Sequence, residues 1–153
     1  MVWDLAEKKE LLKIKCIQGN RLGDVMSIDI SPNGKYIACG LYQHQIKVYN
    51  SYNKDLIRVL EGHTDAVMCV RFDRQGKYII SGGADGKVRV FDLRYGEQIK
   101  KFDGHKSDVM CIAIDYTNRY IASAGRDRTL LITYLDDEDL TCLLYTSDAA
   151  DDR

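Results

Sequence analysis

The sequence predicts an all-β protein built from repeated four-stranded units, and three observations support this prediction. The chain resembles itself at an offset of 42 residues, which aligns Gly62-His63 with Gly104-His105 and Val67-Met68-Cys69 with Val109-Met110-Cys111. Each unit contains short runs rich in β-branched and aromatic residues. Gly, Asp and Asn separate these runs, as is typical of tight turns. The repeat is therefore a strand repeat.

The second repeat shows the strands most clearly. Its first three runs cover residues 67–72, 78–81 and 87–92, and a more polar fourth run covers 98–102. Matching fourth runs lie at 56–60 and, near the start of the chain, at 11–17. A period of about 40 to 45 residues is typical of the four-stranded blade of a β-propeller. Helical repeats of that length would need apolar residues at spacings of three and four.

The repeat divides the chain into segments. Val2-Trp3-Asp4-Leu5 matches the end of a third strand, so residues 1–19 are expected to be the third and outer strands of a preceding blade. Residues 142–153 break the repeat and resemble the translation of a sequencing-library adapter, so they are expected to be a non-native tail. The segments between are a degenerate repeat (20–61), a full repeat (62–103), an incomplete repeat (104–135) and an acidic connector (136–141).

These motifs resemble the WD40 repeats, and the resemblance covers positions 1–135. The second repeat matches best, with Gly62-His63 at its start, Ser81-Gly82 and Asp85-Gly86 inside, and Val90-Phe91-Asp92-Leu93 where the family has its Trp-Asp ending. Trp3-Asp4 is a literal copy of that ending. The resemblance implies a WD40 β-propeller fragment of about three four-stranded blades plus the end of a preceding one.

The resemblance also implies a structural role for the recurring polar residues. In the family, a buried hydrogen-bond relay joins a His between blades, a second-strand Ser, a turn Asp and a third-strand Trp. The same residue types form a hydrolase triad, but the set recurs in the second and third repeats and an enzyme has little use for one triad per repeat, so the structural role is favoured. The relay positions are His63, Ser81, Asp85 and Phe91 in the second repeat and His105, Ser123 and Asp127, with Thr133 at the Trp position, in the third.

The first repeat departs from this pattern. Arg21, Cys39, Gln43 and Tyr49 stand where His, Ser, Asp and Trp would be. We therefore expect this blade to be held by packing alone and to be the least rigid of the three. Cys69 and Cys111, which share one repeat position in apolar surroundings, are expected to be small core residues.

Candidate partner-binding positions also follow from the resemblance. Peptide-binding members of the family use the residues on either side of the first-strand Val and the residue before the turn Asp. Every Met except Met1 falls at one of these positions, and Met suits an adaptable apolar surface, although this strand position can also simply prefer Met. The positions are Asp24, Met26 and Tyr42 in the first repeat, Ala66, Met68 and Ala84 in the second, and Asp108, Met110 and Arg126 in the third.

Composition narrows the classes of function. The formal net charge of −1 gives no sign of a polyanion ligand, and no run is apolar enough for a membrane span or a signal peptide. The five Cys lack ligand spacing, so neither a metal nor a cofactor is expected. The prediction is an intracellular, non-enzymatic scaffold that binds peptide segments of other proteins and packs against further blades of its parent chain. The alternatives are a subunit of a ribonucleoprotein assembly, with direct nucleic-acid contact not expected, and a propeller hydrolase.

Overall fold

The computed structural model describes the backbone of residues 2–4, 9–18, 21–135 and 142–146 and the side chains of 13–16 and 23–135. These residues form strands and turns and contain no helix, which confirms the all-β prediction. Accordingly, none of them belongs to a helix that is long and apolar enough to cross a membrane. The predicted acidic connector, residues 136–141, lies outside the described part.

Sixteen strands follow one another through the part of the chain that the structure describes. The first four are short: β1 (Val2–Asp4), β2 (Lys9–Leu12), β3 (Ile17–Gln18) and β4 (Arg21–Leu22). The other twelve are β5 (Val25–Ile30), β6 (Tyr36–Leu41), β7 (Ile46–Asn50), β8 (Leu56–Leu60), β9 (Val67–Phe72), β10 (Tyr78–Gly83), β11 (Lys87–Asp92), β12 (Glu97–Asp103), β13 (Val109–Ile114), β14 (Tyr120–Gly125), β15 (Thr129–Tyr134) and β16 (Cys142–Thr146).

The strands form three four-stranded antiparallel sheets, as expected for blades. The first sheet is β5-β6-β7-β8, the second β9-β10-β11-β12 and the third β13-β14-β15-β16. Two further pairs, β1 with β2 and β3 with β4, precede them. Consecutive connections alternate between the two opposite ends of the strands in each sheet, which we call its two edges. We call the edge with residues 23–24, 42–45, 61–66, 84–86, 104–108 and 126–128 the relay edge. The far edge has the turns 31–35, 51–55, 73–77, 93–96 and 115–119.

Side-chain hydrogen bonds stabilise the far-edge turns. In the turn between β9 and β10, the Asp73 carboxylate accepts the backbone N–H groups of Lys77 and Tyr78 at 2.7 and 2.9 Å. Gly76 has a φ of 71°, a conformation that a glycine adopts without strain. Asp115 accepts the amides of Arg119 and Tyr120 in the same way. The Asp and Gly residues read as turn signals therefore close these connections.

The sheets pack face to face through two apolar cores. Val48 of the first sheet and Val67 and Phe91 of the second lie in one core. Val90 of the second sheet and Ile112 of the third lie in the other. All five are nearly inaccessible to water, and burying each such side chain contributes about 1.5–3 kcal/mol.

The prediction that both repeat-related cysteines lie in the core is half right. Cys69 is 6% exposed because β13 of the third sheet covers it. Cys111, on β13 itself, is exposed. The same position is thus buried only where a neighbouring sheet packs on it, and no described strand covers that face of the third sheet.

One strand assignment made from the sequence needs correction, and the structure contains one strand that the sequence analysis did not assign. The polar run at residues 11–17 is not one strand, since β2 ends at Leu12 and a separate short strand starts at Ile17. Residues 142–146, part of the predicted non-native tail, form β16 and pair with β15, while the non-native origin of this tail stays a prediction. β15 needs hydrogen-bond partners on its outer side, and the Cys-Leu-Leu-Tyr-Thr run has the residue types of a strand. Residues 147–153 lie outside the described part.

Candidate functional site

The second sheet brings three of the predicted relay residues together. Nε2 of His63 lies 2.7 Å from the Ser81 hydroxyl, and Nδ1 lies 3.1 Å from both carboxylate oxygens of Asp85. A neutral His with its proton on Nδ1 satisfies both contacts, because it donates to Asp85 and accepts from Ser81. Phe91 has no polar atom to add and packs in the apolar core.

Asp85 is the most heavily bonded member of the relay. Its carboxylate accepts the backbone N–H groups of Thr64 and Lys87 and the guanidinium of Arg89 at 3.1–3.2 Å. Burial acts to raise the pKa of this carboxyl, but the His63 ring and the two amides outweigh it and hold the pKa well below its ordinary value. Asp85 thus remains ionised, and its charge is balanced by Arg89.

Sequence reasoning missed Arg89. Its side chain is 7% exposed, while the Asp85 side chain beside it is 4% exposed. Lys47 and Leu131 occupy the matching positions of the other sheets, so the residue does not recur as the relay does. The signal in the sequence is an Arg between Val88 and Val90, four residues after the turn Asp, because a charge in an apolar strand needs a partner.

The third sheet repeats the His, Ser and Asp contacts of the relay and adds a threonine. Nε2 of His105 lies 2.8 Å from the Ser123 hydroxyl, and Nδ1 lies 3.2 Å from Asp127. Thr129 takes part here: its hydroxyl donates to Asp127 at 2.7 Å and lies 3.0 Å from the His105 ring. Burial acts to raise the pKa of Asp127, but the bonds from Thr129, the Lys106 amide and His105 hold it well below its ordinary value. Thr133, at the Trp position, is buried.

A glycine makes room for each histidine, and the sequence analysis did not recognise it. A Cβ on Gly83 would lie 2.9 Å from Cε1 of His63 and 2.5 Å from the Asp85 carboxylate. Gly125 stands in the same relation to His105 and Asp127. A Ser-X-Gly-X-Asp pattern, with Gly two residues before the Asp, marks the position in both repeats.

The first sheet replaces the relay with an apolar cluster. Leu41, which is fully buried, stands where the other sheets have this glycine, so its side chain occupies the matching position. Cys16, Cys39 and Tyr49 are buried with it. A hydrogen bond with Cys16, together with burial, raises the pKa of the Cys39 thiol. Nothing among the described atoms bonds the buried Oε1 of Gln43, which stands at the turn Asp position. The side chain of Arg21 lies outside the described part.

The relay geometry does not favour hydrolysis. Ser81 is fully buried and Ser123 is 2% exposed, so neither hydroxyl can reach a substrate in this structure. Across the described residues, no three His, Cys, Asp or Glu side chains converge to hold a metal ion. The His, Ser and Asp side chains instead join the loop before each sheet to its second strand and to the next turn.

The three repeated methionines share an unusual backbone position. In each sheet the strand register shifts by one residue at the Met: between Val25 and Ser27, between Val67 and Cys69, and between Val109 and Cys111. Met26, Met68 and Met110 are therefore the extra residues of three β-bulges. Bulges re-aim side chains and are frequent beside binding sites. Met26 and Met110 are 42% and 41% exposed, and Met68 is half-buried.

The other candidate contact positions lie next to one another in pairs. Tyr42 donates its backbone N–H to the carbonyl of Asp24, Ala84 to that of Ala66, and Arg126 to that of Asp108, at 2.8–2.9 Å. Tyr42 is 57% exposed, and Arg126 forms an exposed ion pair with Asp108 at 3.8 Å.

Ala66 differs from the other candidate contact residues because it is buried. It is only 3% exposed, so its side chain offers no surface to a partner. Its place in the set comes from the alignment of repeats, which fixes position but not accessibility. Its carbonyl nevertheless makes the same bond, to Ala84, that Asp24 and Asp108 make in the other sheets.

Stacked four-stranded sheets with a His-Ser-Asp relay define this chain as a repeat protein made of propeller blades. A model of the WD domain, G-beta repeat, matches residues 12–50, 54–92 and 96–132, which is well over half of the chain. The chain therefore belongs to the WD40 repeat family. A search of curated proteins gave no match. Repeats of this family generally mediate protein–protein interactions and are generally non-enzymatic.

Proposed function

We propose that this chain is an interaction scaffold that binds a peptide segment of a partner protein across the relay edge. The observation that carries the proposal is the set of three β-bulges, which place a Met at the same point of each sheet beside the paired contact positions. Flexible thioether side chains adapt to apolar partner groups, so a row of them suits a peptide-binding surface.

The charged neighbours indicate what such a peptide would contain. Asp24 and the Asp108–Arg126 pair border the methionines, and Tyr42 adds an exposed ring. Apart from the buried relay carboxylates of Asp85 and Asp127, the relay edge carries four carboxylates and three cations: Asp24, Glu61, Asp65 and Asp108 against Lys106, Arg126 and Arg128. We infer a peptide with an apolar anchor flanked by basic residues, which would match both the Met side chains and the acidic border.

The test starts from a displayed library of random peptides selected on the 153-residue chain. The expected sequences carry an apolar anchor with neighbouring Lys or Arg. Converting Met26 and Met110 to Glu should weaken a selected peptide at least about tenfold, since both would bring a charge into the apolar contact.

A matched control keeps the number of new charges the same. Ile57 and Val59 on β8 are 38% and 40% exposed, close to the two methionines, and their conversion to Glu should leave binding unchanged. Circular dichroism verifies that both variants fold. Selected peptides that bind both double variants equally well would refute the proposal.

A further inference from the structure

The far edge carries a surface that the peptide-binding proposal does not use. Its five turns contain six cations, Lys35, Lys54, Arg74, Lys77, Arg94 and Arg119, and three acids, Asp55, Asp73 and Asp115. All six cations are exposed, and none forms an ion pair with a described carboxylate. The chain's net charge of −1 conceals an uneven distribution of charge, because the far edge is basic while the accessible acids and cations of the relay edge nearly balance.

The carboxylates at this edge are largely engaged. Asp73 is 2% exposed and accepts the amide of Asn118 across the sheet boundary at 3.1 Å, besides its own turn amides. Burial acts to raise the pKa of Asp115, but the hydrogen bonds from the Thr117 hydroxyl and three backbone N–H groups outweigh it and lower the pKa to about 2. Because Asp73 is buried, the accessible charges of the far-edge turns are six cations against the carboxylates of Asp55 and the half-buried Asp115.

Exposed aromatic rings lie among these cations. Tyr52, Tyr95 and Tyr116 are 77%, 64% and 73% exposed, and each sits in a far-edge turn. The Arg94 guanidinium lies 5.3 Å from the ring centre of Tyr95. Arg74, from the second sheet, lies 4.6 Å from the ring centre of Tyr116 in the third. Such pairs hold a cation beside an open ring face.

Grooves between neighbouring sheets open at the same edge. The groove between the first and second sheets has a volume of about 550 Å³, and its charged lining residues are Arg58, Lys77 and Arg94 and one acid, Asp92. The groove between the second and third has about 400 Å³ and includes Lys100 and Asn118. Tyr78 borders both, so the two grooves are neighbours.

We infer that the far edge binds single-stranded nucleic acid. Cations along a groove attract the phosphate backbone, and exposed aromatic side chains stack on unpaired bases. An acidic peptide would need the cations but would have no use for three exposed tyrosines. The inference is independent of the peptide-binding proposal, because it uses the opposite edge of every sheet.

The test measures fluorescence anisotropy of labelled oligouridylate and oligothymidylate, each of about 15 nucleotides, titrated with the full chain. Changing Arg74 and Arg94 to Gln should weaken binding about tenfold or more at low salt and reduce the salt slope by roughly 0.7 for each phosphate that the variant no longer neutralises. Changing Lys106 and Arg128 to Gln removes the same charge from the relay edge and should change neither the affinity nor the slope.

Tyr52 separates stacking from charge. Tyr52→Leu should weaken binding about fivefold or more, and Tyr52→Phe should retain it, because only the aromatic face matters for stacking. Stronger binding of oligouridylate identifies RNA, whereas equal binding of both strands identifies a site that reads backbone and bases without the 2′-hydroxyl.

Three results would overturn the inference. The first is no binding of either strand at about 50 mM salt. The second is that changing Lys106 and Arg128 to Gln weakens oligonucleotide binding as much as changing Arg74 and Arg94 does. The third is equally tight binding of polyglutamate with no effect of Tyr52→Leu, which would assign the far edge to an acidic protein.

Discussion

Replacing Gly83 with Ala tests whether the relay stabilises the second sheet. The added Cβ would approach the His63 ring and lie 2.5 Å from the Asp85 carboxylate. The ring cannot move away cheaply, because its side chain is 1% exposed and its two nitrogens are bonded to Ser81 and Asp85. Overpacking costs about 1–3 kcal/mol, and a buried polar group left unsatisfied costs a similar amount.

We therefore expect Gly83→Ala to lower the free energy of unfolding by about 2–4 kcal/mol. In a chain of this size, that lowers the melting temperature by about 5–15 °C. Urea unfolding followed by far-UV circular dichroism measures the change. Gly76→Ala is the control: its φ is 71°, but the new Cβ would lie 3.6 Å from Pro32, so only the backbone strain of about 1 kcal/mol is expected.

A double-mutant cycle with His63→Ala decides the cause. If the collision with the ring produces the loss, Gly83→Ala should be at least about 1 kcal/mol milder once the ring is gone. An equal loss in both backgrounds, or a loss below about 0.5 kcal/mol in the wild type, would refute this reasoning.

Three further predictions concern the same framework. Asp85 and Asp127 have lowered pKa values, so the stability they contribute is complete above the unfolded pKa of 3.8 and is lost as the pH falls through the folded pKa values. Changing both residues to Asn should therefore make the melting temperature fall less steeply with decreasing pH. Equal slopes for the wild type and the variant would contradict this prediction. Amide hydrogen exchange should be faster in the first sheet than in the third. Both sheets have one described four-stranded neighbour, but only the third retains the relay. Equal protection of the two sheets would contradict a stabilising role of the relay. Asp29 accepts the amide of Phe72 across the sheet boundary at 2.7 Å, so Asp29→Ala should cost about 1–3 kcal/mol in urea unfolding, and a change below about 0.5 kcal/mol would remove that role.

Periodicity predicts the fold of this chain well. Strand positions, turn residues and the relay all recur at a fixed spacing, and the structure brings His63, Ser81 and Asp85 within hydrogen-bond distance. The family is confirmed by the matched repeats. The peptide-binding positions and the intracellular location stay predictions.

Other features were not predictable because they depend on contacts between strands. A bulge at Met68 is a property of register, which is set by two strands together. The need for Gly83 arises from a ring 20 residues earlier in the sequence. The basic far edge could not be predicted because its cations lie in separate turns along the chain. They come together only when antiparallel strands place every second turn at the same end of the sheets.

The repeats matched by the family model are out of step with the sheets. The match at residues 54–92 begins next to β8, the outer strand of the first sheet, and ends with β11, the third strand of the second. The sequence unit that the family model describes is thus not the unit that folds as a sheet. Each matched unit provides the outer strand of the sheet before it, because β8 pairs with β7 and β12 pairs with β11. Neighbouring units are therefore joined by backbone hydrogen bonds as well as by side-chain packing.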